Sequence, residues 1–269
     1  MPDSPPTAIF DMELRARRRD RAFRLGPELF LPERAFEDCL ARLALIRRQF
    51  RSALLIGCPD PGWRARLANL VGTVEIVDPG PLFARAAGGS CIVEDRWDPP
   101  AGAFDLCLAI GTLDTVNDLP RALASIRSAL AADSLLLGAL AGGNGLPRLR
   151  MTMRAADCDQ GASSPHVHPR IEAAALAPLL ASSGFVMPVV DIDRVQVAYG
   201  SLDKLVADLR RMGATNVLNE RSRAHLSRAA KTAAADAFRA SGDGTRTVET
   251  FEILHFAAWT PVQSAQENG

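Results

Sequence analysis

The length and composition of the chain limit the kinds of protein it can be. Its 269 residues are 48% hydrophobic, enough apolar surface to bury one large domain or a domain with an appendage. Basic and acidic residues number 31 each, so no global field favours nucleic acid or an anionic membrane. We therefore expect no nucleic-acid partner and at most weak peripheral contact with a membrane.

The cysteines and the N-terminus indicate a cytoplasmic protein. The five cysteines are dispersed and have neither zinc-site spacing nor the pattern of a secreted disulfide framework. Residues 1–10 are polar and proline-bearing and lack the apolar core of a signal peptide. No stretch approaches about 18 uninterrupted apolar residues, so no membrane span is expected.

One short N-terminal stretch is strongly basic: it contains Arg15, Arg17, Arg18, Arg19, Arg21 and Arg24. These side chains could bind a phosphate, a membrane surface or an acidic partner. The alternative, which we favour from the sequence, is a solvated helical face.

Apolar periodicity predicts a regular alternation of helices and strands over the first half of the chain. A helix is expected from about Pro32 to Phe50, where apolar residues recur at helical spacing. Buried strands follow at 53–56, 74–77, 91–93, 104–110 and 135–140, with helices at 63–70 and 119–130. Such alternation predicts a doubly wound, mostly parallel α/β sheet, which binds ligands at the carboxyl ends of its strands.

The second half is more helical. Helices are predicted at 171–181, 202–211 and 221–240, and strands at 185–192 and 247–259 complete the sheet with an antiparallel edge. The helices between about 194 and 240 then form an insertion, a candidate lid or partner-binding face. We divide the chain into a partly disordered arm (1–32), one domain (33–260) and a disordered tail (261–269).

Two strand ends carry candidate ligand-binding residues. Asp78 ends the second strand, where a carboxylate can accept both hydroxyls of a ribose; a simple turn before Pro79 is an equal alternative. Gly57 and Cys58 begin the loop after the first strand, at the usual place of a nucleotide loop. Pro59 and Pro61 stand where such a loop favours glycine, and each lacks a backbone N–H.

Acids and histidines elsewhere are less specific. Glu94 and Asp95 follow the third strand and could accept a bond from an adenine amino group, although exposed loop acids are common. His166 and His168 are two residues apart, but no third ligand is evident, so we expect no metal site. The chain lacks the Gly-x-Ser-x-Gly elbow of a serine hydrolase and any Walker sequence.

Several longer strings carry a family resemblance. Val116-Asn117-Asp118-Leu119-Pro120 opens the helix after the fourth strand, and Ser164-Pro165-His166, the string 195–199 and the string 208–216 are further matches. From Ile9 to about Trp259 the chain resembles the methyltransferase-like assembly factors of respiratory complex I. These are relatives of the malonyl-carrier-protein methyltransferase of biotin synthesis.

The resemblance implies a class I methyltransferase fold: a Rossmann-like, seven-stranded, mostly parallel sheet with an antiparallel edge strand. It also implies S-adenosylmethionine as cofactor, with Asp78 at the ribose and Glu94 or Asp95 near the adenine. Gly57, Cys58 and Gly111 complete the implied cofactor site. The family's cofactor loop reads approximately Asp-Leu-Gly-Cys-Gly-x-Gly, from which this chain lacks the acid and two glycines. The family's His-Trp before Val-Asn-Asp is replaced by Asp114-Thr115.

Two functional hypotheses follow. The first is an enzyme, a methyltransferase or a hydroxylase on the same fold, acting on a protein side chain during respiratory complex assembly or on a carrier-bound acyl group. Asp114, His166 and Tyr199 are then the candidate catalytic residues. The second is an assembly or scaffold protein that keeps the fold, no longer binds the cofactor and docks a partner on the insertion.

Overall fold

The computed structural model describes residues 8–161 and 163–262. One seven-stranded sheet runs through it, with strand order β3-β2-β1-β4-β5-β7-β6. Its strands are β1 (Phe50–Ile56), β2 (Val71–Asp78), β3 (Ser90–Cys91), β4 (Phe104–Ile110), β5 (Leu130–Ala141), β6 (Val186–Tyr199) and β7 (Thr247–Trp259). Strands β1 to β5 pair in parallel, and β7 is antiparallel to both β5 and β6. The predicted doubly wound sheet with antiparallel pairing after its parallel set is confirmed.

Helices cover the sheet and form the insertion. They are α1 (Met12–Leu25), α2 (Phe30–Leu45), α3 (Gly62–Ala68), α4 (Pro81–Ala86), α5 (Leu119–Ala129), α6 (Pro147–Gln160), α7 (Ala173–Ser182), α8 (Leu202–Arg211) and α9 (Arg228–Ala240). Asp11, Asp118, Ser201 and Ser227 cap four of them by accepting a hydrogen bond from a backbone N–H of the first turn. None of the helices in the described parts of the chain is long and apolar enough to cross a membrane.

The apolar strands bury both faces of the sheet. Leu54, Ile56 and Cys107 belong to a core cluster on one face, while Leu55 and Leu108 belong to a cluster on the other. This alternation is the two-residue period of a strand, and helices on both sides bury both sets. A third cluster of buried residues joins α6, α8, α9 and the ends of β6 and β7.

Several predicted boundaries need correction. The helix predicted to reach Phe50 ends at Leu45, and Phe50 begins β1. Strand β6 continues to Tyr199, so the helical insertion begins after that residue rather than at 194. The helix predicted from 221 begins at Arg228, and helix α6 was not predicted at all. Most of the predicted disordered tail lies outside the described residues, as do residues 1–7 of the arm.

Candidate functional site

The loop after β1 is built around Gly57. This residue has φ of +83°, and an added Cβ would lie 2.3 Å from the carbonyl oxygen of Ile110 on the neighbouring strand. A left-handed conformation and this close approach both require glycine. The next side chain, Cys58, is fully buried, and burial raises its thiol pKa to about 12. The loop therefore begins with an unreactive, inward-facing thiol, while Pro59 and Pro61 offer no backbone donors.

Asp78 lies at the end of β2, as predicted, and is completely buried. Its carboxylate accepts two hydrogen bonds from Arg19 of α1, at 2.9 and 2.6 Å. Its oxygens also accept from the backbone N–H groups of Cys58, at 2.8 Å, and Gly80, at 2.6 Å. A carboxylate has about four lone-pair positions. All the acceptor capacity of Asp78 is therefore taken by the protein itself.

Glu94 is held in the same way by the preceding turn of α1. Arg15 donates to both carboxylate oxygens, at 2.7 and 2.8 Å, and also to the carbonyl oxygen of Thr112, at 2.5 Å. Burial by itself would raise the pKa of Glu94, but the charge and hydrogen bonds of Arg15 outweigh it and hold the pKa below its usual value. Arg15 and Arg19 are spaced i, i+4 and so lie on one face of α1.

These contacts correct our expectation for the basic stretch. Arg15 and Arg19 are not part of a solvated helical face, since both are buried in ion pairs with strand-end acids. Arg17 and Arg24 are exposed, as that interpretation required. The i, i+4 spacing of Arg15 and Arg19 was the available signal, but the sequence does not say which acids they meet.

Asp95 has a different role from Glu94. One of its oxygens accepts from the backbone N–H groups of Asn117 and Asp118, both at 3.1 Å. The carboxylate thereby holds the loop that leads into α5. In this arrangement Asp95 supports the fold next to the strand ends.

Gly111 follows β4 with φ of +63°, and its N–H donates to the carbonyl oxygen of Ala139 on β5. Around it lie three separate cavities of about 130, 50 and 40 Å³. The side chain of Arg19 lines both smaller ones. The space at the strand ends is thus divided, in part by the arginines of α1.

The candidate catalytic residues do not converge. Asp114 lines the 130 Å³ cavity, and burial raises the pKa of its carboxyl against the opposing charges of Arg170 and Arg15. His166 lines a separate cavity of about 140 Å³, where its Nε2 lies 2.7 Å from Asp157. Tyr199 is buried in the apolar cluster of the insertion, and burial raises the pKa of its hydroxyl. Only Asp114 remains at the strand ends.

His168 is a structural residue. Its Nε2 accepts a hydrogen bond from the backbone N–H of Val217, at 2.9 Å, and its ring packs edge-on against Phe10. Within the described parts of the chain, no group of three or more potential metal ligands comes together.

Comparison with known proteins decides the family. The chain is 32% identical over 269 aligned residues to the arginine-hydroxylase NDUFAF5 of rat mitochondria, covering 93% of this chain and 77% of that protein. This chain belongs to the NDUFAF5 family. It is also 30% identical to the malonyl-[acyl-carrier protein] O-methyltransferase of Laribacter hongkongensis, over 67% of this chain and 59% of the relative. No family model matches the chain.

Solved structures agree on the fold. BH2331 from Bacillus halodurans, assigned as a methyltransferase, superposes with a TM-score of 0.58 at 10% identity, covering 84% of this chain and 98% of its own. The N-methyltransferase NodS from Bradyrhizobium japonicum, solved with S-adenosylhomocysteine, gives a TM-score of 0.50 at 16% identity, covering 92% and 98% of the two chains. This member of the NDUFAF5 family therefore has the fold of S-adenosylmethionine-dependent methyltransferases, as the resemblance implied.

The residues that the family implies for the cofactor do not fit it in the present arrangement. Asp78 and Glu94 stand at the expected strand ends, but bidentate arginine pairs occupy both carboxylates. None of the cavities around Gly111 approaches the roughly 300 Å³ at the lower end of small-molecule pockets. A nucleoside would need the space that the side chains of Arg15 and Arg19 fill and the carboxylate oxygens to which they donate.

Proposed function

We propose that this member of the NDUFAF5 family modifies a side chain of a partner protein during assembly of a respiratory complex. The relationship to an arginine-hydroxylase supports a protein substrate. The observation that carries the proposal is the cavity of about 130 Å³ at the carboxyl ends of β4 and β5, which contains Asp114. Sheets of this kind bind their ligands at such ends.

Asp114 is the group at this place that can hold a proton. Burial raises the pKa of its carboxyl, and a carboxylate with a raised pKa is a stronger base towards a nucleophile or a hydroxyl group. The cavity wall around it is mainly apolar, with Leu31, Leu140 and Phe251 among its residues. In our proposal the wall excludes water and Asp114 positions the reacting group of the substrate.

We further propose that S-adenosylmethionine binds at the ends of β1 and β2 after α1 withdraws its arginines. Ribose hydroxyls and an adenine amino group can replace the hydrogen bonds that Arg15 and Arg19 donate to Asp78 and Glu94. The present contacts would then be a closed form, and binding would be weakened by the work of opening it. The chemistry supplied by the bound cofactor would be methyl transfer.

The decisive experiment is calorimetric titration of S-adenosylhomocysteine into the wild-type protein and into an Arg15→Met/Arg19→Met variant. We expect the variant to bind at least about tenfold more tightly, because it leaves the carboxylates of Asp78 and Glu94 without cations, so that cofactor hydroxyl and amino groups no longer compete with arginines for them. Arg17→Met/Arg24→Met is the matched control, since both residues are on α1 and exposed. This control should bind like the wild type.

Substrate modification is tested separately. Purified respiratory-complex subunits incubated with the protein and S-adenosylmethionine should gain the mass of a methylene group, as a methyl group replaces a proton of the substrate, and Asp114→Asn should reduce that gain. Absence of binding in both the wild type and the arginine variant would contradict the enzyme proposal. It would leave the scaffold function that the altered loop first suggested.

We also propose a cytoplasmic location. The five cysteines form no disulfide in the described structure, which is typical of a reducing compartment. Fractionation of cells carrying a tagged copy of the protein tests this proposal, and recovery from a secreted fraction would contradict it.

A further inference from the structure

Arg170 lies in the segment between α6 and α7 and is partly buried, and one of its guanidinium nitrogens lacks a hydrogen-bond partner. Its Nε is inaccessible to solvent and has no hydrogen-bond partner. Among residues 8–161 and 163–262, no carboxylate oxygen lies within 4.0 Å of its nitrogens. Burial lowers the pKa of Arg170, and the more distant carboxylates of Asp114 and Glu252 only partly oppose this. A buried guanidinium N–H without a partner, on a side chain that still reaches open space, is a donor that a ligand can satisfy.

The side chain is placed to meet a ligand. Arg170 lines three adjoining cavities, of about 140, 130 and 50 Å³, and so stands at their junction. Asp114 lines two of these cavities with it. The other cations that line these cavities, Arg15 and Arg19, are occupied, because they are paired with Glu94 and Asp78. Arg170 is therefore the cation that remains available to an anion in this space.

We propose that Arg170 binds a carboxylate of the substrate in the cavity beside Asp114. This inference rests on the proposed function, because it names the chemical group that the substrate presents at that site. A planar carboxylate matches the paired N–H groups of a guanidinium. A phosphate would carry more charge than one cation balances, next to an acid.

The other residues of the cavity wall indicate which kind of group in the substrate bears the carboxylate. Leu31, Ala35, Leu140, Leu209 and Phe251 line the 130 Å³ cavity. An aliphatic stem can pack against these side chains while its terminal carboxylate reaches Arg170. Because its own pKa is raised, Asp114 more readily takes up a proton and so tolerates a second carboxyl group nearby. The chemical class is therefore a short aliphatic carboxylate, such as an acidic side chain.

The test uses butanoate as the probe and butanamide as its neutral counterpart, without any cofactor. In protein labelled with ¹⁵N-arginine, butanoate should shift the Nε–H resonance that Arg170→Met removes, and butanamide should leave it unmoved. Loss of the charged hydrogen bonds should weaken butanoate binding to Arg170→Met by about tenfold or more. Arg154→Met, an exposed residue of α6, is the matched control and should bind as the wild type does.

A stability measurement separates a ligand role from a structural one. If the role of Arg170 is to bind a ligand, Arg170→Met removes a partly buried charge that has no carboxylate partner and should keep or raise the melting temperature. A lower melting temperature, or butanoate shifts that persist in Arg170→Met, would overturn the proposal, as would an equal response to butanamide or no response to butanoate. Because S-adenosylhomocysteine is absent, a failure here is distinct from a failure of cofactor binding.

Discussion

Acidic and arginine side chains lie on both sides of Gly111, but they form ion pairs with each other on one side only. On the side of β2 and β3, Asp78 and Glu94 are buried, and each is saturated by an arginine of α1. On the side of β5, Asp114 and Arg170 share a cavity without forming an ion pair. The first side is closed by the protein's own side chains, whereas the second keeps its charges available.

The two sides therefore differ in whether a ligand can bind without rearrangement. Breaking a buried ion pair leaves an uncompensated charge and is costly, so the β2 side resists opening. A buried guanidinium N–H without a partner is costly until a ligand accepts its hydrogen bond, so the β5 side favours binding of an acceptor. Measuring how much each charge contributes to stability therefore tests the comparison directly.

The largest change in the free energy of unfolding should come from the side of β2 and β3, where the charges are paired. Asp78→Ala leaves Arg19 buried without its carboxylate, and we expect the free energy of unfolding to fall by about 3–5 kcal/mol. Urea unfolding followed by circular dichroism measures this loss. The double variant Asp78→Ala/Arg19→Met should recover part of it, since the uncompensated charge is gone. A loss below about 1 kcal/mol in the single variant would show that the pair does not hold α1 closed.

A pH-dependent effect should come from the region between the two sides. Burial, followed by the charge of Arg170, lowers the pKa of His168 to about 3, whereas an unfolded histidine titrates near 6.5. Between these two pKa values the histidine binds a proton in the unfolded state but not in the folded state. The free energy of unfolding therefore falls as the pH falls. From pH 6.5 to 5 the expected loss is about 2 kcal/mol.

Urea titrations at the two pH values measure that loss. His168→Gln keeps an acceptor for the N–H of Val217 and should flatten the dependence, while the exposed His225→Gln should leave it intact. An unchanged slope in His168→Gln would assign the dependence to other groups.

A smaller effect is expected on the unpaired side. A double-mutant cycle of Asp114→Asn and Arg170→Met should give a coupling energy of about 1 kcal/mol or less, because the two groups do not touch. The same cycle on Asp78 and Arg19 should give several times more. Equal couplings would remove the distinction between the two sides.

The smallest effect should come from a solvent-exposed pair far from the cleft. Arg239 and Asp236 are one turn apart on α9, 3.2 Å apart at their charged atoms. Water screens such pairs, so Asp236→Ala should change the free energy of unfolding by about 0.2–0.5 kcal/mol. A change as large as that of Asp78→Ala would mean that burial does not decide the value of a charge in this protein.

Much of the fold could be predicted because its signals are local. The strands β4 and β7 and the helix α8 have the predicted boundaries, since a continuous apolar run or a clear helical period ends at a polar turn. Helix α6 escaped prediction because few of its residues are apolar, and its buried ones, such as Leu149 and Thr152, face α9 and β7. The extent of β6 was missed because this edge strand is half-exposed and mixes polar with apolar residues.

The candidate site was predicted only in part. Gly57 and Asp78 could be placed at strand ends because a turn glycine and a terminal acid follow directly from their strands. The partners of Asp78 and Glu94 could not be predicted, since Arg19 and Arg15 are 59 and 79 residues away along the chain. No sequence pattern identified Arg170, because its lack of an ion-pair partner depends on which side chains surround it in the folded protein.

Local sequence signals thus predict the alternation of strands and helices, the parallel sheet and the strand ends where acids lie, because periodicity and turn chemistry act over a few residues. Which charges are paired follows from the packing of the elements in three dimensions. Coulombic and hydrogen-bonding contacts depend on distances in space, and the packing of α1 against α4 and α8 sets those distances. The same packing closes the side of β2 and β3 and leaves Asp114 and Arg170 available to a ligand on the side of β5.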